Sequence, residues 1–134
     1  MMPPSIHPGP GESELRTRLS RLVEAFGRPR IAVVGDLIAD EFIYGRLDRV
    51  SREAPVLILK YDSTEVTPGG AGNAAHNVAA LGAVAHLVGV IGADGQGYDL
   101  KAELRAIGVD TGDLIEVSDR FTPTYTKPMH KTTG

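Results

Sequence analysis

The chain has no cysteine, which excludes disulfides, thiolate metal sites and a cysteine nucleophile. Its four histidines, His7, His76, His86 and His130, follow no HExxH or other ligand spacing, so no built-in zinc site is expected. Positive charge is not in excess either. The net charge is −3 with Lys and Arg scattered, which argues against nucleic acid or an anionic membrane as a partner. No apolar run approaches a membrane span. The opening MMPPSIHPGPG lacks the basic start and apolar stretch of a signal peptide, so a cytoplasmic protein is expected.

What is present is ordinary in amount and uneven in placement. At 134 residues, 42% apolar and 23% charged, the chain has room for one domain with a core. Residues 1–12 hold four of the nine prolines and read as a disordered tail. Residues 13–134 read as the structured part. Ser13 is placed to cap a helix whose stripe is Leu15, Leu19, Leu22, Val23 and Phe26, stopped by Gly27 and Pro29. It reads as a surface helix laid on a core.

IAVVGDLIAD, residues 31–40, begins as an unbroken apolar run, the pattern of a central parallel strand buried on both faces. It leads into Asp36 and Asp40, and strand ends of this kind are where α/β folds place ligands. As an isolated pair, the two would equally serve as turn and capping residues. Residues 41–63 then read as two strands joined by a long polar excursion, a small flap beside the main body. Arg46, Arg49 and Arg52 recur along it and could meet a phosphate, although exposed arginines are common.

PGGAGNAAHNVAALG, residues 68–82, is the densest stretch. Gly69 and Gly70 suit a sharp turn with bared amides. The run after Asn73 is rich in small helix formers, with Val78 and Leu81 on one face. Exposed N–H groups at such a helix start favour oxygen-rich ligands, while the plainer reading is a turn before a tightly packed helix. VAHLVGVIG is a second buried strand over 84–92, and Asp94, Gly95 and Gly97 form the entry to a helix striped by Leu100, Leu104 and Ile107 and ended by Gly108. LIEV at 114–117 is a short strand, and TPTYTKPMHKTTG alternates weakly. The order predicts an α/β doubly wound fold with a small β flap. A parallel sheet needs both faces covered, and only three main strands and three helices are in view, so the chain is expected to be the first part of something larger. Gly70-x-Gly72-x-x-Ala75 is a weak match to a dinucleotide fingerprint, because that motif should follow the first strand directly. Here the first strand runs into Gly35-Asp36 instead.

The glycine stretch, extended through GVIGADGQG, resembles the N-terminal sugar-binding signature of the ribokinase-like (PfkB) carbohydrate kinases. Gly69-Gly70, Asn73, Ala75, Gly82 and Gly92 carry the likeness. VVGDLIADEFIYG, RVSREAPV and TPTYTK resemble the heptose 7-phosphate kinases within that family, over roughly residues 30–130. The resemblance implies the N-terminal portion of a ribokinase-like fold. It implies that Asp40, Gly69, Gly70 and Asn73 hold sugar hydroxyls, with Asp36 at the adjacent polar position. It also matches Arg49, Ser51 and Glu53 to the flap motif and Lys127 to the TxTK lysine, with Arg49 and Lys127 as phosphate or lid contacts. The sequence departs from the subgroup at Arg52, where proline is usual, at Leu57-Ile58 for Pro-Val, and at Gly72-Asn73-Ala74 for Ala-Asn-Val.

Kinases of this kind use ATP and Mg2+ on a sugar phosphate, and relatives pair as homodimers through the flap. Their catalytic base and nucleotide site come from a GAGD-type motif late in the chain. No such motif occurs here, and GADG at 92–95 stands at the wrong place to serve. No catalytic residue is therefore expected in this chain, which is predicted inactive alone. The alternative is a non-catalytic sugar-binding or dimerisation module.

Overall fold

The computed structural model describes residues 11–27 and 29–130, so the expected tail lies outside the described residues as far as residue 10. Gly11 and Glu12, counted with the tail, instead open helix α1 (Glu12–Glu24). Gly11 is its N-cap, and its carbonyl accepts from Glu14 and Leu15. Ser13 is therefore inside the first turn rather than capping it, and its carbonyl accepts from Thr17 Oγ1 at 2.9 Å.

Strands β1 (Arg30–Val34), β4 (Val84–Gly92) and β5 (Leu114–Val117) form a parallel sheet in the order β1-β4-β5. Parallel strands need crossovers, and helices α2 (Ala71–Ala80) and α3 (Gly95–Ala106) provide them. Both pack on one sheet face. Leu87, Ile91 and Ala85 from β4 meet Ala75 from α2 and Leu100 and Leu104 from α3, with Val33 and Leu114 at the margins. Gly72 and Ala75 are the buried positions of α2, so it is small residues that let this helix approach closely. Leu81, expected on the same apolar face as Val78, is exposed at the helix end.

The opposite sheet face departs from expectation. Val34 is 74% exposed and Ile115 55%, so β1 is covered only on the helix side, where Val33 packs against the core, and not on both faces as a central strand would be. It is an edge strand of this sheet, hydrogen-bonded to β4 alone. The α1 stripe does not cover it: Leu19 stays 52% exposed and Val23 63%, and no described element packs closely along that helix. The helix has the amphipathic pattern of a core-facing element without the core.

A second sheet carries the flap. Strands β2 (Leu37–Val50) and β3 (Leu57–Gly70) pair antiparallel, and β6 (Thr124–His130) adds in parallel to β2, giving the order β3-β2-β6. The flap was expected, but as two short strands with a long excursion. Residues 46–50, read as part of the polar excursion, instead continue the ladder opposite the expected strand at 57–61, through register shifts at Tyr44/Gly45 and Leu47/Arg49. Paired backbone groups, not apolar side chains, extend these strands through polar sequence.

Candidate functional site

The two sheets meet where β2 starts and β3 ends. β3 runs to Gly70, which adopts φ +56° and ψ −129°, a backbone state that glycine alone adopts without strain. The chain then turns straight into α2. Ala71 N–H donates to the Asp36 carbonyl at 2.8 Å, fastening the start of the helix to the β1–β2 corner. Gly69 keeps a negative φ and lies in the ladder opposite Ile38. Its lack of a side chain has another cause: a Cβ there would come within 2.8 Å of Asp40 Oδ2.

This folding brings Asp40, Gly69, Gly70 and Asn73 to one cavity of about 380 Å³. They are 33 positions apart in sequence, from Asp40 to Asn73. Thr67, His76 and Glu103 share the lining. Of these, His76 could have been found from the sequence, since it lies one turn beyond Asn73 on the same helix face. Glu103 comes from α3 and carries no local signal. Lys127 reaches the site across the flap, its Nζ 2.6 Å from Asp40 Oδ1 and 4.7 Å from the centre of the Phe42 ring. The cavity thus presents a carboxylate, an amide and backbone, with an ammonium bonded to the carboxylate, a donor and acceptor set suited to a polyol.

Asp36 faces elsewhere. It lines a neighbouring cavity of about 500 Å³ with Val34, Ile38, Val88 and Arg120. Arg49 is nine residues beyond Asp40 on β2, about 30 Å at strand rise. It lies 3.9 Å from the adjacent Asp48, and the structure does not bring it to the cavity. Ser51 and Glu53 share a local turn, with Glu53 N–H donating to Ser51 Oγ at 3.2 Å.

The second glycine-rich loop has a structural role. Asp94, Gly95 and Gly97 were expected as an entry loop, but only Asp94 is outside α3, as its N-cap. Asp94 Oδ1 accepts from Gly97 N–H at 2.8 Å and from Thr122 Oγ1 at 2.7 Å, and Oδ2 accepts from Thr122 N–H at 2.8 Å. Thr122 is buried and its Oγ1 accepts from Gly92 N–H at 2.9 Å. One carboxylate therefore caps a helix and clasps the strand that leads to Lys127.

The Asp94 carboxyl sits below its usual value of 3.8. Partial burial, the largest single influence, opposes ionisation, but the bonds from Thr122 and Gly97 together outweigh it. Such a group stabilises the fold above its unfolded-state pKa, and the contribution disappears as pH falls through the lower folded value. Urea unfolding should show stability level from neutrality to about pH 5 and declining below about pH 4. Asp94→Asn should be less stable at pH 7 with a shallower acid decline. An unchanged acid decline in the variant would place the sensitive group elsewhere.

A model of the pfkB family carbohydrate kinases matches residues 28–132. The chain belongs to this family. It is 47% identical over 109 residues to the bifunctional protein HldE of Rhodopseudomonas palustris strain BisB18 and 43% identical over 106 residues to that of Bradyrhizobium sp. strain ORS 278. Each match covers 79% of this chain and 21% of the relative, so the chain spans about a fifth of the length of these relatives. A ribokinase from Cryptococcus neoformans var. grubii in complex with ADP is similar at 31% identity and TM-score 0.53, over 74% of this chain and 30% of that one. Arabidopsis thaliana ribokinase, complexed with ribose and ATP, shares the fold at TM-score 0.58 and 21% identity, over 76% of this chain and 32% of its own.

The ribokinase-like α/β fold with its β flap therefore stands as read. No helix among the described residues is long and apolar enough to cross a membrane. No three His, Asp or Glu side chains among the described residues converge as a metal-phosphate site would need. At the α2 N-terminus, the Ala71 amide is already engaged by Asp36. No step involving ATP or Mg2+ is assigned to these residues.

Proposed function

We propose that this chain is the sugar-binding portion of an ATP-dependent carbohydrate kinase that phosphorylates the anomeric hydroxyl of a heptose 7-phosphate. The observation that carries the reading is the convergence of Asp40, Gly69, Gly70 and Asn73 on one cavity. Asp40 accepts from a sugar hydroxyl, the Asn73 amide donates to or accepts from another, and the glycines let the ring approach the backbone. Lys127 acts at the site through its bond to Asp40, while Asp36 lines the neighbouring cavity and Arg49 stays on the flap beside Asp48, away from the sugar. The heptose 7-phosphate assignment is supported by the VVGDLIADEFIYG, RVSREAPV and TPTYTK motifs. Base, nucleotide and Mg2+ sites belong to a portion of the kinase outside this sequence.

The test mixes the purified chain with heptose 7-phosphate, with and without Mg2+-ATP. Saturable binding of the sugar phosphate is expected, with no turnover. Turnover by this chain alone would overturn the division of labour, and absence of binding would overturn the site.

A second reading, an assembly module pairing through the flap, is favoured by one observation. Leu47, Val50, Val56 and Leu57 lie exposed together toward the hairpin tip, an unusual apolar surface for a solvated strand end.

A further inference from the structure

The ion pair between Lys127 and Asp40 joins residues 87 positions apart across the flap, and Asp40 lines the cavity assigned above. Side-chain exposure is 44% for Lys127 and 26% for Asp40, and a pair this open adds little to stability. Its geometry is nevertheless well defined. Lys127 stands opposite Phe42 in the β2–β6 register, and Asp40 opposite Tyr125. The Phe42 ring lies under the ammonium, at 4.7 Å, an arrangement that holds a cation in place. The ammonium takes Oδ1 of Asp40, while Oδ2 lies against Gly69, which lines the cavity.

We propose that Lys127 is a positioning residue that occupies one oxygen of Asp40, so that the site presents a single carboxylate oxygen to a single sugar hydroxyl. This rests on the sugar-binding reading above. A carboxylate with both oxygens open accepts two neighbouring hydroxyls of a diol, one on each. With Oδ1 held, only the oxygen beside Gly69 is left to take a hydroxyl. The pair therefore takes a single hydroxyl, and Lys127 contributes through Asp40 and not through a separate contact.

A double-mutant cycle separates the two routes. Heptose 7-phosphate is titrated calorimetrically into the full 134-residue chain, with melting temperatures recorded alongside. Lys127→Met is expected to weaken binding about fivefold and Lys127→Arg to restore most of it, with melting unchanged. Asp40→Asn is expected to weaken binding at least about tenfold. In the Asp40→Asn background, Lys127→Met should have no further effect. Equal losses from Lys127→Met in both backgrounds, or no loss in either, would overturn the proposal and leave the sugar site standing. Failure of the parent chain to bind the sugar phosphate would overturn both.

Discussion

Gly97→Ala should destabilise the chain by about 3 kcal/mol, enough to unfold a marginal domain. Gly97 is the third residue of α3, where alanine would ordinarily be the better helix former by about 1 kcal/mol. The local preference loses because of what lies beside it. A Cβ at Gly97 would overlap the Gly92 carbonyl oxygen, come within 2.8 Å of Thr122 Oγ1, and lie 3.1 Å from Asp94 Oδ1. The first of these is backbone, which cannot rotate away, and the other two are the partners in the Asp94 clasp. Relief requires α3 to move off β4, opening the core around Leu100 and Leu104. Gly95→Ala is the control. It lies two positions earlier in the same helix, with nothing within 4 Å of its Cβ, and should be neutral or stabilising by up to about 1 kcal/mol. Urea midpoints of the two variants measure the contrast. Similar midpoints would mean that helix propensity, not the clasp, governs this turn.

That contrast marks what the sequence can convey. VAHLVGVIG and LIEV are strands at the residues expected of them, because short Val- and Ile-rich segments set between turn residues leave little choice. The Leu100 and Leu104 stripe is buried as its spacing implied. Pairings made by the fold could not be read in this way. Asp94 looked like a loop residue because its partner Thr122 is 28 positions away. Lys127 entered only by resemblance, since nothing near it in sequence points to Asp40. The strand β1 was overread for a related reason: an apolar run reports what could be buried on both faces, not which neighbours are there to bury it. The same holds for the α1 stripe. Of the site, the Asp40, Gly69, Gly70 and Asn73 set was legible through the motif, whereas Thr67, His76 and Glu103 depended on how α2 and α3 lie against the end of β3.

Gly69→Ala should separate the site from the scaffold. Gly69 has ordinary extended backbone, so alanine suits the strand and reduces the freedom of the unfolded chain. Against this, its Cβ would lie 3.2 Å from the Ile38 carbonyl oxygen and 3.3 Å from Ile38 Cβ, contacts that a small shift across the ladder relieves. These two influences oppose each other, and melting should change by only a few degrees, as a net effect below about 1 kcal/mol implies. Ligand binding should respond very differently. The same Cβ would come within 2.8 Å of Asp40 Oδ2, and Lys127 restrains the other oxygen. The carboxylate must then rotate away from the cavity or carry the ammonium with it. Losing a hydrogen bond to a charged group costs about 1.5–3 kcal/mol, so affinity for heptose 7-phosphate is expected to fall by at least about tenfold. Calorimetric titration with parallel thermal melts reads both quantities on one preparation. Retained affinity would show that Asp40 meets no sugar hydroxyl through Oδ2. Equal loss of melting temperature and affinity would make Gly69 a residue of the flap's stability and not of its site.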